Sequence, residues 1–233
     1  MSSTIIGAIK IQCDAHIEIR HAPDVSLSEL AKSAYVDVAI ISTEEGFSTL
    51  GMSKDFLTDD LGWYYNEVKP LSVWNREANE DVSLIALASR KPNSLMRGVI
   101  LAPGDSCLSY LSYSSPYGRK PYRDYYYNVA YESFSYVCKM WRSRRIALSH
   151  LCGSGRHNMD MATCQLEALI HLCDEFPELA PLSITFFGCC IEKKDLNGLC
   201  MLEKERGISK HTPISIHLEN KGDAAILNLN WRT

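Results

Sequence analysis

From Tyr122 to Phe187 the chain alternates helix, strand, glycine-bearing loop, helix and strand, and no other feature restricts the fold as much. Tyr122, Tyr126, Val129, Ala130, Phe134, Val137, Cys138 and Trp141 recur at three- and four-residue intervals, which predicts an amphipathic helix. Ile146 to Leu151 is a continuous apolar run, read as a strand buried on both faces. A second helix is expected over Met161 to Phe176, with Met161, Gln165, Ala168, Leu169, Leu172 and Phe176 on one stripe and Pro177 and Pro181 stopping it; Leu182 to Phe187 is the next strand. Such alternation calls for parallel strands with helices on the sheet faces.

The rest of the chain extends that sheet. Ile5 to Ile11 and His16 to Arg20 alternate apolar and polar residues, as two short strands do. Ser26 to Leu30 reads as a capped helical turn and Val36 to Ile41 as a buried strand. Ser53 to Leu71 reads as a helix broken at Gly62 and ended by Pro70. Val82 to Ala88 and Val99 to Ala102 form a strand pair across the turn residues Lys91 to Ser94. Ile214 to Leu218 and Ala224 to Leu229 read as a hairpin around Asn220-Lys221-Gly222, an addition at about 212–231. With no linker, low-complexity tract or repeat, residues 1–233 are read as a single domain.

Composition closes off several function classes. A chain of 233 residues buries roughly 70% of its unfolded surface, enough for one core or two small ones without metal or disulfide staples. Lys plus Arg number 24 against 28 Asp plus Glu, a formal charge of −4, which disfavours a nucleic-acid partner held by basic excess. The N-terminal apolar cluster Ile5 to Ile9 is too short for a signal segment, and no 18-residue apolar run spans a membrane. The nine cysteines are therefore expected to be reduced thiols of a cytoplasmic protein, with Cys138, Cys164 and Cys173 filling apolar helix positions.

Several residue clusters admit two readings. The segment Leu151-Cys152-Gly153-Ser154-Gly155-Arg156-His157, between a strand and a helix, is either a plain tight turn or an anion cradle. In the second case backbone N–H groups, the helix N-terminus and Arg156 meet a phosphate. His150, Cys152, His157, Asp160 and Cys164 are potential metal ligands, but their spacing fits no common zinc pattern, and no metal is expected. Cys152 with His157 as base is a weaker alternative, and Cys189-Cys190 reads as space filling. Nine of twelve tyrosines fall between Tyr110 and Tyr136, beside Arg119, Lys120 and Arg123; core packing accounts for them before base stacking does. Arg142, Arg144 and Arg145 likewise complement a helix C-terminus before they suggest a binding patch.

Three matches in the correct order resemble the macrodomain family, over about residues 17 to 190. Pro23-Asp24-Val25-Ser26 followed by Val36 to Ile41 resembles the family's Gly-Asp-Ile-Thr turn and Val-Asp-Ala-Ile-Val strand. Asp81 to Leu87, through Asn93-Ser94-Leu95 to Val99-Ile100-Leu101-Ala102-Pro103-Gly104, resembles the paired strands ending in Val-Ile-His. Ile146-Ala147-Leu148 running into Leu151 to Gly155 resembles the second phosphate-binding loop.

The resemblance implies a three-layer α/β/α fold around a mixed, largely parallel sheet, binding ADP-ribose or a related NAD-derived nucleotide, free or on ADP-ribosylated protein, with no cofactor. It assigns Asp24 to the adenine amino group, Gly153, Ser154 and Gly155 with Arg156 to the diphosphate and distal ribose, and Ser42, Thr43, Gly46 and Gly51 to the first loop. Hydrolytic members carry an Asn and a glycine run after the strand, where this chain has Ser42-Thr43-Glu44-Glu45. The water-positioning Asn is thus missing, which leaves Glu44 and Glu45 as the general-base candidates for the alternative of an ADP-ribosyl hydrolase. A third outcome is an interaction module that keeps the fold and binds a protein partner after the nucleotide site has decayed.

Overall fold

The computed structural model describes residues 4–10, 16–22, 25–43, 54–68, 84–103, 120–149, 158–179, 181–187 and 215–218. Its sheet has eight strands: β1 (Thr4–Lys10), β2 (His16–Ala22), β3 (Val38–Thr43), β4 (Ile85–Ala88), β5 (Gly98–Pro103), β6 (Arg145–Leu148), β7 (Leu182–Phe187) and β8 (Ser215–Leu218). They lie in the order β4-β5-β3-β6-β7-β2-β1-β8. The five central strands run parallel, and antiparallel pairs flank them, β4 with β5 on one side and β2 with β1 and β1 with β8 on the other. One arm of the expected C-terminal hairpin is β8; the other lies outside the described residues.

Period-two alternation sorts the strands' side chains between two cores. Val38, Ile40, Ile100, Ile146, Leu148, Ile184 and Phe186 face one layer, made by helices α2 (Lys120–Ser135) and α3 (Asn158–Glu175). Ala39, Ile41, Val99, Leu101, Ala147 and Phe187 face the other, where α1 (Leu27–Ala31) packs with the π-helical turn Phe56–Asp60 and with Leu61 and Val68. Because both faces are covered, β3, β5 and β6 read in sequence as apolar runs rather than alternating ones, while β7 keeps Ser183 and Thr185 between its apolar residues. Helices on both faces of one sheet give a three-layer α/β/α fold.

Local signals account for the element ends. Ser26 caps α1: its hydroxyl accepts the Glu29 N–H, while the Glu29 carboxylate returns to the Ser26 N–H at 2.8 Å, a reciprocal box that also lowers the Glu29 pKa. The break expected at Gly62 falls where expected, since Gly62 has φ +78°, a left-handed backbone that glycine adopts without strain. The chain before it ends in a π turn, and residues 65–68 form one further helical turn. A second π turn, Tyr136–Met140, ends α2, and β6 begins at Arg145 because its carbonyl takes the Asp37 N–H at 3.0 Å. α3 starts three residues earlier than its apolar stripe announced.

Cys138, Cys164 and Cys173 are buried free thiols. Burial pushes Cys138 up to about 11 and Cys173 up to about 12, so both stay protonated as packing groups. The tyrosine-rich helix divides its labour. Phe134 is in the core, whereas Tyr127 and Tyr131 lie on its rim, where the Tyr127 hydroxyl meets His171 Nδ1 at 2.8 Å and the Tyr131 hydroxyl donates to Glu175, tying α2 to α3.

Candidate functional site

All five parallel strands end at one edge of the sheet. Ala22, Thr43, Pro103, Leu148 and Phe187 are their last residues. β3 and β6 are neighbours, with Val38 beside Ile146 and Ile40 beside Leu148. Their onward connections diverge. The chain after β3 continues to the π turn on the α1 face, and the chain after β6 continues into α3 on the opposite face. Neighbouring strands whose connections leave on opposite faces define a topological switch point, where an open α/β sheet leaves a crevice for a ligand.

Of the predicted site residues, the described part of the chain contains Ser42 and Thr43. Ser42 and Thr43 are the last two residues of β3, in register with Ala102 and Pro103 of β5. Glu44, Glu45, Gly46 and Gly51 lie outside the described residues, in the connection leaving β3. Gly153, Ser154, Gly155 and Arg156 are also outside them, in the connection from β6 to α3, and so are His150, Cys152 and His157. Asp24 follows β2, two strands from β6, and is outside them too. Cys164 is buried on α3, and the described residues contain no cluster of three or more metal-ligating side chains.

At the carboxyl edge, β6 ends on bonds from β3 and α3. The Ser149 N–H donates to the Ile40 carbonyl at 3.1 Å, which carries the β3–β6 ladder one residue past the strand. From α3, Gln165 Nε2 donates to the Ser149 carbonyl at 3.3 Å. Gln165 is 1% exposed, and its Oε1 has no hydrogen-bond partner among the described residues. A buried amide oxygen without a donor is costly, and its position under the β6 exit marks it as part of the edge. Sequence reasoning had placed Gln165 on the apolar stripe; the signal that distinguished it was its being the one polar residue among six positions otherwise filled by Met, Ala, Leu and Phe.

The opposite edge, where the parallel strands begin, is cross-linked by side chains. The Ser143 hydroxyl donates to the Asp37 carboxylate, Arg145 Nη2 lies 3.7 Å from that carboxylate, and another Arg145 nitrogen donates to the Ala34 carbonyl. Arg144 Nη1 donates to the Cys138 and Ser143 carbonyls at 3.2 and 3.1 Å, so Arg144 performs the expected service at the end of α2. Further along, Trp63 Nε1 donates to the Ala88 carbonyl at 2.7 Å, Arg90 lies 3.6 Å over the Trp63 ring, and its guanidinium makes two bonds to Glu67.

The fold and its switch point thus define the class: a three-layer α/β/α domain around a mixed sheet, with a topological switch point between β3 and β6. Within that class the chain has the macrodomain fold. It is similar to the Oceanobacillus iheyensis macrodomain, seen in the structure of a point mutant at 14% identity and TM-score 0.50, over 88% of this chain and 98% of that one. The same bacterial macrodomain in a structure with ADP matches at 12% identity and TM-score 0.51, over 85% and 97% of the two chains. The macro domain of ganglioside induced differentiation associated protein 2 matches at 11% identity and TM-score 0.50, over 79% and 82%. No family model and no curated protein matches the sequence. Among the described residues no helix is long and apolar enough to cross a membrane.

Proposed function

We propose that the carboxyl edge binds ADP-ribose or a related NAD-derived nucleotide, free or attached to protein. The observation that carries this reading is the switch point between β3 and β6, where the two connections that hold most of the predicted site residues leave on opposite faces. The Oceanobacillus macrodomain structure with ADP supports the ligand class, since ADP supplies the adenine and diphosphate of ADP-ribose. In this proposal the backbone N–H groups of Gly153, Ser154 and Gly155, with Arg156, hold the diphosphate at the start of α3. Ser42, Thr43, Gly46 and Gly51 border the distal ribose, and Asp24 accepts from the adenine amino group. A ligand held by loop amides and a helix terminus needs no basic excess, consistent with the net charge of −4.

The reading is recognition rather than turnover, because Ser42 and Thr43 stand where a water-positioning Asn would be needed. Work in the cytoplasm is part of the proposal, supported by the three buried free thiols. Calorimetric titration with ADP-ribose tests it. Saturable heat that Asp24→Ala weakens at least tenfold is expected, and no heat and no thermal shift at millimolar ligand sinks it. Product release from an ADP-ribosylated protein, abolished by Glu44→Gln or Glu45→Gln, would replace recognition by hydrolysis.

A further inference from the structure

The three arginines after α2 have different fates, and the difference points to a second surface. Arg144 caps the helix and Arg145 pairs with Asp37, but Arg142 is exposed and makes neither kind of contact among the described residues. Its φ is +51°, the left-handed position just past a helix end, where glycine is at home and a side chain is strained. Folding alone favours glycine there. The π turn before it leaves Met140 68% exposed.

Arg142 stands at the amino edge, beside Ser143, whose hydroxyl donates to Asp37 in the loop entering β3. The loop entering β3 carries Lys32 and Tyr35, the β4–β5 turn carries Lys91, Leu95 and Arg97, and β6 begins with Arg145. The Arg97 N–H donates to the Asp37 carbonyl at 2.6 Å and Arg145 reaches the Ala34 carbonyl, so these loops touch. Lys32, Lys91 and Leu95 line one open cavity of about 500 Å³. Lys32, Lys91, Arg97, Arg142 and Arg145 are five exposed cations, set against Asp37, turned inward to Ser143 and Arg145, and two carboxylates lining the cavity, the exposed Asp59, whose carbonyl takes a bond from Lys91, and the half-buried Asp60. Tyr35 is 45% and Leu95 55% exposed. In a chain of charge −4 this edge has the opposite sign.

We propose that the amino edge docks an acidic protein segment bearing apolar side chains, at the opposite end of the strands from the nucleotide crevice. Charge complementarity selects the acidic residues, and exposed Tyr, Met, Leu and Arg side chains are the composition of a protein interface centre. A single-stranded nucleic acid fits less well. Bases require free aromatic faces, whereas Arg20 lies 5.3 Å over the Tyr35 ring and Arg90 covers Trp63.

Fluorescence anisotropy of the full chain with a labelled synthetic peptide of Glu, Asp and Leu, at low salt, tests the proposal without any nucleotide. Saturable binding is expected, weakened about tenfold or more by the pair Lys32→Glu and Arg97→Glu. Asp24→Ala should leave it unchanged, which separates this surface from the crevice. Arg142→Gly should raise the thermal midpoint by about 2–4 °C while weakening the peptide, so lost affinity in this variant is not unfolding. The proposal is overturned by no binding at millimolar peptide, by affinity that survives the charge reversals, or by tighter binding of a single-stranded oligonucleotide of equal charge.

Discussion

The two edges of the parallel strands are built on different principles. At the amino edge, side chains bond across loops: Ser143 to Asp37, Arg145 to Ala34, Arg144 to the end of α2, Trp63 to Ala88. At the carboxyl edge, among the described residues, the exit of β6 is met from β3 and α3, through Ser149 and Gln165. An edge that holds its loops by side-chain bonds has its geometry fixed by folding, whereas a buried Gln165 oxygen with no donor among the described residues can accept a further bond. The contrast predicts that substitutions at the first edge are read in stability and those at the second in binding.

The severest test lies at the start of β5. A Cβ on Gly98 would stand 2.6 Å from the Leu87 carbonyl oxygen and 2.8 Å from Trp141, so Gly98→Ala should destabilise by about 3 kcal/mol in denaturant unfolding. A cost below about 1 kcal/mol would show that this edge yields easily. Next, Asp37→Ala removes the acceptor of a fully buried Ser143 hydroxyl and the partner of Arg145, and should cost about 2 kcal/mol. At the other edge the balance reverses. Gln165→Leu should change stability by no more than about 1 kcal/mol, because the lost bond to Ser149 is offset by removing an unpartnered buried oxygen. The same variant should weaken ADP-ribose several-fold, and an unchanged affinity would take Gln165 out of the edge.

The smallest effects are in pH. The Tyr131 hydroxyl, donating to Glu175, is pushed up to about 12, above its ordinary value of 10.0. Raised in the folded state, it contributes stability that is fully present below pH 10 and is lost as pH rises through 12. Tyr131→Phe should flatten that part of the alkaline unfolding profile. The buried thiols add to the alkaline loss in the same sense, from 9.0 through about 11 for Cys138 and about 12 for Cys173. A thiol-reactive dye at neutral pH should label them only on unfolding.

The layers of the fold were legible because burial on both faces leaves its mark as apolar runs at β3, β5 and β6, and one-sided burial leaves a stripe at α2 and α3. What pattern could not show depends on single backbone choices. The π turns at Phe56–Asp60 and Tyr136–Met140 add one residue to a turn without altering which residues are apolar. The left-handed Arg142 carries no composition signal, since glycine marks that conformation and is absent there. Strand order was accessible only as parallel pairing, so the adjacency of β3 and β6 that unites two distant loops came from the register. Ser42 and Thr43 are seen on the edge; Asp24, Glu44, Glu45 and the segment 153–156 were named by resemblance and lie beyond the described residues.

The divergence of the two connections at the switch point also bears on how such a domain changes over generations. The loop after β3 is answerable to one hydrophobic layer and the loop after β6 to the other, so an insertion in either leaves the opposite helix layer undisturbed. The two connections can therefore be rewritten one at a time, each by its own mutations, while the sheet between them keeps its pairing.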